Sequence, residues 1–379
     1  MRQRRIKAAF IRGGTSKGVF FRAGDLPEEQ EERDATLLRA LGSPDPYERQ
    51  LDGMGGGLSS VSKAVIIGKS AREDADIDYT FAQVSVNEPL VDYAGTCGNL
   101  SSATGPFAID EGMIDTRDGE AVVRVFNTNT SKIFHARFDV GDGEAVVEGE
   151  QRIPGVTQAG ARVALEFLSP GGSMTGALLP TGNVVDEIET PDGERFRVSL
   201  VDATNPIVMV DAADVGITAT EQPDALEARP EFMARMEEIR RAAGVAMGLG
   251  ATLAEVPQAV PKIVVVGLPQ SSFDIQGEDV PAASIDICAR ALSMGRLHRA
   301  LPLTLSMCVA TACRISGTIP ALVSAKLVDG ADVRIGNPSG VIAAGADVVR
   351  SGNGWDVERC RVIRTQRRLM EGSVLVPAG

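Results

Sequence analysis

Histidine is almost absent from this chain, since only His135 and His298 occur among its 379 residues. A histidine-rich metal centre is therefore excluded. The five cysteines are an odd number and show no CxxC spacing, so the sequence predicts neither a disulfide framework nor a zinc site. No nucleotide-binding spacing is present either, because the glycine-rich segment at 52–57 lacks the pattern of a dinucleotide loop. We therefore expect a protein that needs no metal and no cofactor.

Long apolar runs are also missing. The longest stretches, such as 263–268, are far too short to span a bilayer. The basic residues at the N-terminus precede a short strand-like run instead of the apolar core of a signal peptide. These features predict a cytoplasmic protein with no membrane partner.

Positive charge is scarce relative to negative charge, and the formal net charge is −13. Such a field works against nucleic-acid binding, so we expect no nucleic-acid partner. It would also repel an anionic substrate. Local cations and backbone N–H groups at one place would have to overcome that repulsion.

The order of predicted elements repeats along the chain. Each half has several strands, then a loop of about a dozen residues, and then a buried helix rich in small residues. We predict an α/β fold of two similar lobes, each a curved, mostly antiparallel sheet around a central helix, with an active-site cleft between the lobes. The main predicted helices lie at 25–42, 97–113, 230–247 and 303–314, and the main strands at 6–21, 62–67, 79–86, 121–167, 195–210, 263–266 and 285–292. Two central helix starts facing one cleft would form an anion site, because a helix start carries unpaired N–H groups and partial positive charge.

The segment from Arg12 to Gly18 joins two strands with glycines, hydroxyls and two cations. Arg12 could clamp a carboxylate in a bidentate manner, with Thr15 and Ser16 assisting. A polar hairpin turn is the equal alternative, since the spacing of a phosphate-binding loop fails.

Lys63 opens an apolar strand after a Gly/Ser-rich loop. Burial would lower the pKa of this lysine and make a general base available. The alternative is a lysine whose stem is buried while its ammonium stays in water.

Cys97 stands at the predicted start of the first buried helix, a position that favours the thiolate and supplies N–H groups for an oxyanion. The alternative is a small buried cysteine with no chemistry, which is our interpretation of the other four.

Several segments together resemble the PrpF family of isomerases, which belongs to the diaminopimelate-epimerase-like superfamily. The resembling pieces include RGGTSKGVFF from Arg12, GGGLSSVSKAVII from Gly55, the long piece from Asp78 through TCGNLSSATG, SMGRLHRALPLTLSMC from Ser293 and RTQRRLMEGSVLVP from Arg364. The match runs essentially from end to end. The family pattern differs at two places, with Thr-Gly-Ala where this chain has Thr304-Leu305-Ser306, and His-Pro-Ser-Gly where it has Asn337-Pro338-Ser339-Gly340.

The resemblance implies a cofactor-free isomerase acting on a small unsaturated polycarboxylate such as 2-methylaconitate or aconitate, by an allylic shift or cis–trans isomerisation, with propionate metabolism as its setting. The alternatives are a 4-oxalomesaconate-type tautomerase, an amino-acid racemase or epimerase, and a non-catalytic carboxylate-binding protein. A homodimer stays open. The C-terminal tail is expected to return to the first lobe, which gives lobes at 1–182 plus 358–379 and at 183–357. We predict catalytic roles for Lys63 and Cys97 and substrate binding by Arg12, Gly13, Thr15, Ser16, Lys17, Ser62, Gly98, Asn99, Thr304, Ser306 and Ser339.

Overall fold

The computed structural model describes residues 3–93, 95–352 and 354–377. It divides into two compact units, Met1–Glu166 plus Ile363–Gly379 and Phe167–Val362. These boundaries differ from the predicted ones at 182 and 358. Residues 172–175 explain the first difference, because Gly172 N donates to the carbonyl of Asp202 at 2.8 Å and Thr175 N donates to its carboxylate at 2.8 Å, within the second unit.

The first unit contains strands and three helices, followed by the start of the second unit at the end of β9. The elements are β1 (Arg4–Gly13), β2 (Ser16–Arg22), α1 (Gln30–Leu41), β3 (Lys63–Lys69), β4 (Ile77–Val84), β5 (Val91–Asp92), α2 (Gly98–Ser101), α3 (Thr104–Asp110), β6 (Gly119–Asn127), β7 (Lys132–Gly141), β8 (Glu144–Ala145) and β9 (Val163–Leu168).

The second unit follows in one continuous segment, after which the last strand rejoins the first unit. The elements are β10 (Asp186–Glu189), β11 (Arg195–Asp202), β12 (Pro206–Asp211), α4 (Pro223–Glu227), α5 (Pro230–Ala246), β13 (Lys262–Gly267), β14 (Ser272–Phe273), β15 (Asp279–Val280), β16 (Ile287–Ser293), β17 (Arg296–Leu297), α6 (Leu303–Arg314), α7 (Ile319–Val323), β18 (Val333–Asn337), β19 (Gly340–Ser351), β20 (Gly354–Arg364) and β21 (Gln366–Val376). Short 3-10 turns lie at Ala23–Asp25, Ala213–Val215 and Ala282–Ser284.

Strand pairing repeats in the two units. In the first, β21–β1 and β1–β2 are antiparallel, β2–β3 is parallel, β3–β4 is antiparallel, β4–β6 is parallel and β6–β7 is antiparallel. In the second, β10–β11–β12–β13–β16–β18–β19 follow the same series of directions. Helices α2 and α3 follow β5, and α6 follows β17. The predicted pair of similar, mostly antiparallel lobes is confirmed, and the repeated topology shows a duplication that sequence identity alone was too weak to establish.

The central helix of the second unit matches its predicted bounds of 303–314, and every residue from Leu305 to Cys313 is buried. The first central helix instead consists of two short pieces, α2 and α3. Pro106 has no N–H to donate to the carbonyl of Ser102, and the Ser102 hydroxyl donates to the carbonyl of Asn99 at 2.7 Å. Both features interrupt the regular ladder, so the predicted continuous helix from 97 to 113 was wrong in its regularity.

The predicted helix start at 25 was also too early. Leu26, which precedes Pro27, is extended, and α1 begins only at Gln30. It ends as predicted at Gly42, whose φ of 76° is the left-handed conformation of a helix C-terminus. Within the described ranges, no helix combines the length and apolarity needed to cross a membrane.

Candidate active site

Lys63 is the first residue of β3 and lies directly opposite Gln83 of β4. Its side chain is buried, with the residue 8% exposed. The amine Nζ donates a hydrogen bond to Gln83 Oε1 and lies 4.8 Å from the ring centre of Phe81. The Gln83 amide is itself fixed, because its Nε2 donates to the carbonyls of Ser59 at 3.1 Å and Ser62 at 2.9 Å. The structure therefore holds the Lys63 amine in place and does not leave it in water.

The charge state of Lys63 follows from this burial. Loss of solvation lowers the pKa of Lys63 below its ordinary value, and the charge of Cys97 opposes that shift more weakly. Lys63 forms no ion pair with any residue that the structure describes. A buried lysine without a carboxylate partner has a larger neutral fraction near pH 7 than an exposed one, which is the requirement for a general base.

Cys97 precedes α2 as its N-cap residue, as predicted, and is 8% exposed. Its Sγ lies 3.9 Å from the Ser16 hydroxyl. Its carbonyl accepts hydrogen bonds from the N–H and hydroxyl of Ser101, both at 3.0 Å, and from the hydroxyl of the buried Tyr79 at 3.3 Å. These bonds fix the backbone of Cys97 and direct the first free N–H groups of α2 to the same place as the thiol.

Glycines let the β1–β2 loop approach this helix start. A Cβ at Gly13 would lie 2.7 Å from the carbonyl oxygen of Asn99, and one at Gly18 would lie 2.7 Å from that of Lys63. Thr15 Oγ1 accepts a hydrogen bond from Asn99 Nδ2 at 3.0 Å. The residues that come together at Cys97 and Lys63 are thus the predicted Gly13, Thr15, Ser16, Ser62, Gly98 and Asn99.

Arg364 is a member of this cluster that the sequence did not single out. It is 7% exposed, and its Nε donates to Asn99 Oδ1 at 3.2 Å while its Nη1 donates to the carbonyl of Ile363 at 2.8 Å. Burial lowers the pKa of Arg364 to about 10. It has no ion pair among the described residues, so its positive charge is available beside the start of α2. The only sequence signal was a basic residue at the end of a strand, which is common.

Arg12 and Lys17 lie elsewhere. They face each other across the β1–β2 pair, and Lys17 Nζ lies 5.5 Å from the ring centre of Phe10, which packs on the α1 side of the sheet. Neighbouring residues of a strand point to opposite faces, and Gly13 faces α2. Arg12 Nη1 donates to the carbonyls of Gly14 at 3.0 Å and Thr365 at 3.1 Å. This geometry supports an ordering of the loop by Arg12, and a direct clamp on substrate stays a prediction.

The three predicted residues of the second unit lie around the start of α6. Thr304 accepts a hydrogen bond at its carbonyl from Thr204 Oγ1 at 2.8 Å. Ser306 Oγ donates to the carbonyl of Leu303 at 2.8 Å, and Ser339 Oγ donates to that of Arg299 at 2.5 Å. The structure gives these hydroxyls local partners, and their role in binding substrate stays a prediction, as does the cleft.

The two departures from the family pattern have local explanations. Asn337 ends β18 and accepts a hydrogen bond from Leu301 N at 3.2 Å, just before α6. Asn127 ends the equivalent strand β6 and donates to Thr96 Oγ1 at 2.6 Å, just before α2. Asn337 is therefore the second copy of a turn that ties a strand end to a central helix. Leu305 is fully buried within α6.

A second reactive thiol is not found at α6. Cys308 is fully buried, and its Sγ lies 3.5 Å from the carbonyl of Val201. Burial raises the pKa of this thiol well above its usual value. The geometry therefore disfavours the racemase alternative, which requires two reactive thiols.

Known proteins of similar sequence give the class of this protein. The 2-methyl-aconitate isomerase of Shewanella oneidensis is 41% identical, over 99% of this chain and 98% of its own length. The 3-methylitaconate isomerase of Eubacterium barkeri is 42% identical over the same shares of the two chains. A crystal structure of a methylitaconate-delta-isomerase, 41% identical, covers 99% of this chain and 96% of its own, with a TM-score of 0.92. The chain is an isomerase of the diaminopimelate-epimerase-like fold.

The family model described as PrpF protein matches residues 3–377, which is nearly the whole chain. The chain belongs to the PrpF family.

Proposed function

We propose that this isomerase moves a proton on a small unsaturated tricarboxylic acid such as 2-methylaconitate or aconitate, and that Lys63 is the base. The observation that carries the proposal is the buried amine of Lys63 within electrostatic range of Cys97, in a cluster without a carboxylate partner. The substrates named in the titles of the similar isomerases support the choice of acid. The same names support propionate metabolism and a cytoplasmic location as parts of this proposal.

The reaction starts with the neutral Lys63 amine removing a proton from the saturated carbon next to the double bond. The electron pair of the broken C–H bond spreads over the allyl system and the adjoining carboxylate, forming an extended enolate. The proton then returns to the far carbon of the allyl system from the Lys63 ammonium or from the Cys97 thiol. The double bond has moved, and the atoms and charges are unchanged.

The enolate needs positive partners, which an acidic chain must supply locally. Arg364 provides a buried cation beside Asn99, and the N–H groups of Gly98 and Asn99 precede the first intrahelical bond of α2, from Ser101 N to the Cys97 carbonyl. Preorganised donors in a site shielded from water stabilise developing negative charge strongly. Ser16 holds the thiol at 3.9 Å and so helps to position the second proton carrier.

The test is a panel of unsaturated di- and tricarboxylic acids incubated with the enzyme in deuterated buffer and followed by NMR. We expect one acid to gain deuterium at an allylic carbon while its double bond moves or its configuration inverts. The position of the new double bond separates an allylic shift from cis–trans isomerisation and from keto–enol tautomerisation. Acids that bind and raise the melting temperature without any deuterium uptake would refute the enzyme assignment and leave a carboxylate-binding protein.

A further inference from the structure

A cavity of about 740 Å³ lies within the first unit, away from Lys63 and Cys97. It is bounded by the facing ends of β1 and β21 and by the segment 147–160. The polar residues of its lining include Arg12, Arg367, Gln366, Gln158, Thr157 and Glu148. Neither Lys63, Cys97, Ser16 nor Asn99 lines it, so it is separate from the candidate active site.

Two arginines meet at this cavity without a carboxylate between them. Arg12 and Arg367 are directly opposite in the antiparallel β1–β21 pair. Like charges directly opposite in a sheet repel each other and destabilise the pairing. Neither guanidinium forms an ion pair with any residue in the described ranges, and the pKa of Arg12 is lowered by burial and then by the charge of Arg367. The pair therefore carries an uncompensated positive charge.

Both arginines are held in position for a ligand. Arg12 Nη1 is fixed by the Gly14 and Thr365 carbonyls, which leaves Nε and Nη2 without protein partners in the described part of the chain. Arg367 Nη1 donates to Gln158 Oε1 at 2.6 Å. Two guanidinium groups fixed in this way pay little conformational entropy on binding a multiply charged anion.

Gln366 supplies an independent indication of a missing partner. It lines the same cavity, is 3% exposed, and its Nε2 is buried without a hydrogen-bond acceptor. A buried amide donor without an acceptor costs free energy unless a water or a ligand completes it. Glu148, the one acidic side chain among the lining residues, is exposed and does not neutralise both arginines.

We propose that this cavity is a second anion site, which binds a small oxyanion of two negative charges, a dicarboxylate or inorganic phosphate, between Arg12 and Arg367. The bound anion relieves the cross-strand repulsion and accepts from the free Arg12 nitrogens. Because Arg12 also holds the carbonyls of Gly14 and Thr365, occupancy stabilises the loop that carries Thr15 and Ser16 to the active site. The site acts on the stability of that loop and does not take part in the proton transfer.

The test uses the intact protein, with calorimetric titration and melting temperature as readouts. Inorganic phosphate and succinate are the two probes, each at an ionic strength held constant with sodium chloride. We expect saturable binding and a rise in melting temperature with at least one probe, and the probe that binds identifies the source of the oxyanion. Arg367→Gln should weaken this binding by about tenfold or more, as expected for loss of a charge-assisted pair.

Arg5→Gln is the matched control, since Arg5 is exposed on the same strand, stands opposite Leu375 and loses the same charge. It should bind the probe as the wild type does. Arg367→Lys keeps the charge and should retain part of the affinity, which guards against a folding defect in the first variant. Equal affinity in Arg367→Gln and Arg5→Gln, or no saturable binding of either probe by the wild type, would overturn the proposal.

Discussion

Replacing Lys63 by Met is the sharpest perturbation of the proposed reaction, because it removes the amine and keeps an apolar stem. An ordinary lysine has only about one neutral amine in a thousand at pH 7.4, and each unit by which burial lowers its pKa multiplies that fraction by about ten. The pKa of Lys63 is lowered by its burial. Loss of the base should reduce turnover by about 100-fold or more, equivalent to about 2.7 kcal/mol of the barrier.

The assay is the rate of deuterium entry at the allylic carbon of the substrate. Lys63→Arg is an informative companion variant, since it keeps a positive charge that does not deprotonate, and we expect it to be as slow as Lys63→Met. Lys69→Met is the matched control, because Lys69 is the exposed last residue of the same strand. Wild-type kcat/KM should rise with pH through the lowered pKa of the free enzyme, since the neutral amine is the active form.

Folding must be intact for this result to count. A folded-state pKa below the unfolded one means that the protonated amine costs stability, fully so below the folded pKa, and that this cost disappears as pH rises towards the unfolded pKa. Lys63→Met removes the buried amine, so its melting temperature at neutral pH should not fall below that of the wild type. If the folded Lys63→Met or Lys63→Arg protein exchanges deuterium at the wild-type rate, Lys63 is not the base and Cys97 becomes the leading candidate.

Three further outcomes are expected. Cys97 should be alkylated first and be protected by substrate, because burial raises the pKa of Cys313 and Cys360 to about 12 and also raises those of the other two buried thiols; mass spectrometry that finds all five labelled equally contradicts its place in the site. Arg364→Met should weaken substrate binding and lower kcat/KM by a charge-assisted interaction of about 1.5–3 kcal/mol, whereas Arg22→Met, at the exposed end of β2, should change neither. Activity should survive dialysis against chelators, and a loss that a divalent ion restores would refute the cofactor-free account.

Local patterns allowed much of the fold to be predicted from sequence. The second central helix was predicted to the residue, because small and apolar residues continue without a break from Leu303 to Arg314. The first was not, because serine and threonine hydroxyls and Pro106 compete with a regular ladder in ways that composition alone does not rank. The unit boundary was misplaced since a turn-rich segment reads as a linker, whereas Asp202 binds it to the second unit.

The site was less predictable than the fold, and the reason is distance along the chain. Lys63 and Cys97 were recognisable from their positions at the start of a strand and of a helix. Arg364 was not, because its contact with Asn99 spans 265 residues and leaves no local trace. The position of Arg12 on the other face follows from the two-residue alternation of β1, a signal that the glycine-rich loop beside it obscured.

The pairing of β1 with β21 sets an order for the birth of this protein on the ribosome. Arg4 lies opposite Val376, so the first strand to be synthesised finds its partner only when synthesis is nearly complete. The second unit is one uninterrupted segment and can form its core earlier, whereas the first must wait with one edge of β1 unpaired. Nascent chains arrested shortly before Gln366 should therefore hold a protease-resistant second unit and an incomplete first one, and the catalytic lysine and cysteine acquire their final surroundings only after Arg364 has left the exit tunnel.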